Sequence, residues 1–250
     1  MSSLGTYLTR ERLALGLFSP LKYSNSSSSE SRLDLIYPLN MGFDAESMKS
    51  KIYCHRGFWA SVEQQNAAEA FENAIRSGFG IETDIRDHQG SIVISHDPVG
   101  SSFVKLDILS KTSTPIALNL KADGLIKIGE IAIEQYLRNQ GSFVFDGSIP
   151  EMLKYRERNL PHALRLSEYE REVAWLSQYI WLDAFESDWW IKEDTLKFLT
   201  EKHFVVVVSP ELHGRSKSRV WEIVSAEMIN GNPNLGICTD YPDQFAEMLK

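Results

Sequence analysis

The chain is short of the features that mark several common protein classes. Among its 250 residues there are only two cysteines, Cys54 and Cys238. Two are too few for a disulfide framework. Both fall in apolar, strand-like runs, which suits a reducing, cytoplasmic setting. No apolar run approaches the roughly 18 residues of a membrane-spanning helix. The N-terminus lacks the basic segment and apolar stretch of a signal peptide, since the run over residues 13–18 is too short. Positive charge is in deficit as well. The formal net charge of −8 argues against a nucleic-acid partner, which wants a basic face. A phosphate-bearing ligand stays open, because a local cation can invert the field. No Gly-x-Gly-x-x-Gly follows the first strand-like run, which weakens an open dinucleotide-binding sheet.

Apolar residues make up 43% of the chain, ample for a core, and the length suits one barrel domain. Residues 1–47 differ from the rest. Six serines lie between Ser24 and Ser31, a composition of flexible linkers, and residues 4–17 fit one short helix. The domain proper is therefore expected over 48–250, with 1–47 as an N-terminal extension.

From Lys51 onward, strand and helix signals alternate. Strands are predicted over 52–54, 80–85, 116–121, 143–146, 163–167, 179–185, 204–209 and 235–239. Helices are predicted over 125–139, 150–158, 167–176, 192–202 and 219–230. One more follows Asn66, read as its N-cap, and stops at Gly78. The run at 91–95 follows a Gln89-Gly90 turn too soon for a crossover helix, so it reads as a hairpin. Eight strand–helix repeats predict an α/β fold, a (β/α)8 TIM barrel, with a hairpin-like arm after the second strand. In a closed barrel the first and last strands are neighbours, which would bring Cys54 near Cys238 as packing.

Chemistry-bearing residues sit at the ends of these runs, where a barrel keeps its active site. His55 and His96 can give or take protons near neutrality. Arg56 offers a planar fork for an oxyanion, and Gly57 permits a tight exit from the strand. Glu82 and Asp84, two apart on a strand, point to one face and repel each other unless a cation intervenes. Asp146, Arg165, Asp183, Glu211 and His213 follow later strands and suggest a polar, ligand-binding rim.

The ordered set His55-Arg56-Gly57, Gln65-Asn66-Ala67, Glu82-x-Asp84 and His96-Asp97 resembles the glycerophosphodiester phosphodiesterase family. The match runs over about residues 51–121, with a weaker one at 236–242. The resemblance implies a phosphoric diester hydrolase acting on a small-molecule or lipid-derived phosphodiester and releasing an alcohol and a phosphomonoester. It implies catalysis by His55, His96, Arg56 and Lys121. It also implies a divalent cation, Mg²⁺ or Ca²⁺, on Glu82, Asp84 and Asn119. Asn119 stands where that family carries a glutamate, so the ligand set loses a charge. That departure leaves a non-catalytic phosphate-binding barrel as one alternative. The unusual segment Ser209-Pro210-Glu211-Leu212-His213-Gly214 leaves another, a barrel phosphodiesterase for a different headgroup such as a sugar phosphate or a polysaccharide precursor.

Overall fold

A computed structural model describes residues 45–99, 103–171, 177–191 and 195–250. The serine-rich run and the short helix expected over 4–17 lie outside the described residues. Eight parallel strands form the barrel: β1 (Ile52–Cys54), β2 (Gly80–His88), β5 (Ile116–Leu120), β6 (Phe143–Phe145), β7 (Ala163–Leu166), β8 (Tyr179–Leu182), β9 (Phe204–Val208) and β10 (Leu235–Thr239). Pairing runs β1–β2–β5–β6 on one side and β7–β8–β9–β10 on the other, and β10 pairs with β1. The ring closes between β6 and β7 through a single parallel bridge, Val144 to His162. The expected (β/α)8 architecture is therefore the observed one.

The strands read as continuous apolar runs because both faces are covered. All five residues of β9, Phe204–Val208, are buried. Tyr53, Phe143, Phe145, Trp181, Phe204, Val206 and Cys238 cluster as one layer, with the Phe145 and Trp181 rings stacked at 4.0 Å. Alternate residues, among them Ile52, Cys54, Ile81, Val205 and Ile237, join the second layer that packs against the helices. Cys54 and Cys238 thus sit on neighbouring strands in different layers, and both are free.

Four local expectations change. Strand β2 continues to His88 and pairs antiparallel with β3 (Ser91–Ile94), which pairs with β4 (Val104–Lys105). The arm is thus three-stranded. Its last strand is too short to announce itself in sequence, and the Phe103 ring lies 4.9 Å from that of His88. Asn66 does not cap the helix Ala68–Ser77; Ala67 holds the cap position, while Gly78 closes the helix in the left-handed region as expected. The helix expected over 167–176 is absent at 167–171, and the remainder lies outside the described residues. There the Ser167 hydroxyl accepts the N–H groups of Tyr169 and Glu170, a local turn that competes with a helix. The helix Pro242–Glu247 was not anticipated. Among the described residues no helix is long and apolar enough to cross a membrane.

Candidate functional site

The chain leaves β1 in a tight turn. The Gly57 N–H donates to the Cys54 carbonyl (3.1 Å), and Arg56 and Gly57 both take positive φ, 57° and 88°. A non-glycine residue in that region is strained unless its surroundings hold it. Here they do. The Arg56 N–H donates to Glu82 Oε2 (3.0 Å), its Nη1 to Gln65 Oε1 (3.0 Å), and its Nε lies 3.1 Å from Asp84 Oδ2. Trp59 Nε1 donates to the His55 carbonyl at 2.9 Å.

The same turn delivers His55 to Asp240. Pairing of β1 with β10 sets Cys54 opposite Thr239, so the next residue on each strand meets its counterpart. His55 Nδ1 lies 2.8 Å from Asp240 Oδ1. A carboxylate there favours the Nδ1–H tautomer and leaves Nε2 for a ligand. Burial pulls the His55 pKa down, but the Asp240 hydrogen bond and the charges of Glu82 and Asp240 outweigh it. The net shift is upward from 6.5.

Glu82 and Asp84 project from β2, and each is only 1% exposed. Asp84 is surrounded by donors. Its Oδ2 accepts from Asn66 Nδ2 (2.8 Å), and Lys121 Nζ lies 3.2 Å from its Oδ1. Asn66 is fixed in turn, since its Oδ1 accepts from the Thr83 hydroxyl at 2.7 Å. Glu82 has fewer partners. Burial and the neighbouring Asp84 push its pKa up to about 7, against the pull of His55, the Arg56 N–H and Lys121. Asn119 pairs in register with Asp84, and its buried Oδ1 has no hydrogen-bond partner among the described residues. Asn119, Lys121, Asp146 and Ser148 line an open pocket of about 410 Å³.

A second chain of charges follows the later strands. Asp146 pairs with Arg165, whose Nε lies 3.8 Å from Asp183 Oδ2, and His213 Nε2 lies 2.7 Å from Asp183 Oδ1. The Phe185 ring sits beside both side chains: the Arg165 guanidinium is 5.4 Å from its centroid and the His213 ring 4.7 Å. Glu211 turns inward and accepts from Thr239, Ser209 and the Asp240 N–H.

No protein-family model and no curated protein matches this chain. Among solved structures, a thermostable aldo-keto reductase, Tm1743, crystallised with the inhibitor epalrestat, is similar at a TM-score of 0.39 and 11% identity. The alignment covers 79% of this chain and 88% of that one. The chain is therefore not assigned to the glycerophosphodiester phosphodiesterases. Neither a family model nor a curated protein carries that resemblance. The hydrolase activity and the phosphodiester substrate, which rested on that resemblance, fall with it.

The metal site inferred from it also changes. Among the described residues no group of three or more His, Cys, Asp or Glu could hold a metal ion. Arg56 and Lys121 stand against the Asp84 carboxylate where the cation was expected, and the amide of Asn119 adds no charge. The residues as arranged do not fit the metal. Of the expected catalytic set, His55, Arg56 and Lys121 converge on Glu82 and Asp84. His96 sits at the root of the arm, beside Ser95, whose N–H donates to the Asp84 carbonyl. Its side chain is 43% exposed and pairs with Asp97. Sequence reasoning missed Asp240. Its signal was available, because the closure that made Cys54 and Cys238 neighbours also makes His55 and Asp240 neighbours.

Proposed function

We propose that the barrel mouth binds a small hydroxylated anion and moves a proton on it, with His55 as the proton-transfer group. One observation carries this reading: a histidine oriented by a carboxylate stands beside two cations that share a single carboxylate. Arg56 and Lys121 bring two positive charges against Asp84, and Glu82 is largely protonated below about pH 7. The excess favours an anion in the adjoining pocket. Asn119, which lines the same pocket, offers a polar side chain to a ligand hydroxyl. In this scheme His55 takes the proton at Nε2, Asp240 stabilises the imidazolium, and Arg56 with Lys121 offsets negative charge developing on the ligand. Asp146, Arg165, Asp183 and His213 would hold the ligand's remaining polar groups. The free, buried thiols Cys54 and Cys238 suit a cytoplasmic location.

Calorimetric titration with inorganic phosphate and with gluconate tests the reading and separates a phosphate from a carboxylate ligand. Lys121→Met and Arg56→Ala are expected to weaken the binding anion by about tenfold or more, as loss of a charge-assisted contact does. Adding Mg²⁺, Ca²⁺ or a chelator should leave that affinity unchanged. Failure of both anions to bind, or full affinity in Lys121→Met, would end the proposal.

A further inference from the structure

We infer that Glu211 is a positioning residue for the His55–Asp240 pair, an inference that rests on the proton-transfer reading of His55. Glu211 lies in the turn Pro210–His213 after β9, and its carboxylate serves the protein rather than the mouth. Oε1 accepts from the Thr239 hydroxyl and from the Asp240 N–H at 3.3 Å, and Oε2 accepts from the Ser209 hydroxyl. The direction of these bonds is set by their neighbours. Trp221 Nε1 donates to Ser209 Oγ (2.7 Å), and the Tyr241 N–H donates to Thr239 Oγ1 (3.1 Å). Both hydroxyl protons are thereby left for Glu211. The carboxylate ties the Asp240 peptide to β9 and, through Trp221, to the helix Ser218–Ile229.

A histidine–carboxylate pair works only when its geometry is held within about half an ångström. Among the described residues the Asp240 N–H makes its hydrogen bond to Glu211 alone. The groups that face His55 are Arg56 on its own turn, Glu82 on β2 and Asp240 beyond β10. Glu211 acts through the last of these. The same turn offers an internal control, because His213 at its far end bonds Asp183.

The experiment reads the downfield ring N–H resonances of His55 and His213 by NMR on the full chain. In the wild type both are expected to exchange slowly with solvent. Glu211→Leu should speed exchange at His55 about tenfold while His213 is unchanged, and Glu211→Gln, which keeps an acceptor oxygen, should restore most of the protection. If Glu211→Leu does not fold, Thr239→Val decides, since it removes one bond to the carboxylate and leaves the turn whole. It should shift His55 exchange in the same direction. Unchanged His55 exchange in a folded variant overturns the inference. So does parallel loss of both signals, which would make Glu211 a part of the turn's folding only. Failure of anion binding would leave these resonances unaffected, so the two readings fail separately.

Discussion

The buried charge of Glu82 works against the fold. Its ordinary pKa of 4.5 rises to about 7 in the folded chain because the carboxylate is buried beside Asp84. The native state therefore holds a proton that the unfolded chain gives up. The associated stability is fully present below pH 4.5 and is lost as pH rises through about 7. His55, raised from 6.5, loses its contribution in the same direction. Glu82→Gln keeps an acceptor for the Arg56 N–H and removes the charge. It should raise the melting temperature at pH 8, with a ceiling of roughly 3 kcal/mol at about 1.36 kcal/mol per pKa unit, and change little at pH 5. Equal gains at the two pH values would show that charge is not the cause. The pairing of Glu82 with Asp84 was legible, because period two on a strand fixes which residues share a face. The pairing of His55 with Asp240 was legible only through closure of the barrel, because those residues are 185 apart in sequence.

Elements were legible where burial writes a pattern and illegible where side chains decide a turn. The barrel strands are apolar runs, and their positions follow from composition alone. The turn after β1 needs more. Arg56 enters the left-handed region because Glu82, Gln65 and Asp84 together hold it there. Asn66 looked like a helix cap, yet its amide links Asp84 to Thr83 across the site. Gly57 can be tested directly. It combines φ of 88° with a position where an added Cβ would lie 2.8 Å from that of Ala70. Gly57→Ala should therefore cost about 2 kcal/mol or more, from strained backbone and overlap together. A chemical denaturation midpoint close to wild type would mean that the helix Ala68–Ser77 gives way readily and the turn is not tightly set.

At the scale of the whole molecule the ring is uneven. β9 and β10 pair over four registered positions, from Leu235 with Val205 to Cys238 with Val208. Between β6 and β7 the described residues form one isolated bridge, Val144 to His162, in which the Val144 N–H donates to the Pro161 carbonyl at 3.2 Å. Pro161 has no N–H to return, which limits the ladder at that point. Sequence periodicity gave the number of strands but could not give the strength of each seam, which depends on register and on where a proline falls. The barrel should open first at this join, since local opening follows the regions with fewest buried hydrogen bonds. Native-state hydrogen exchange reads this amide by amide. The Val144 N–H should exchange through a small opening, at a free energy well below that of Val205 to Val208, which should follow global unfolding. Because Asp146 and Arg165 flank this seam, an anion that orders them should slow Val144 exchange and leave β9 unchanged. Equal protection at Val144 and across β9 would mean that the ring unfolds as one unit and that the seam has no separate motion.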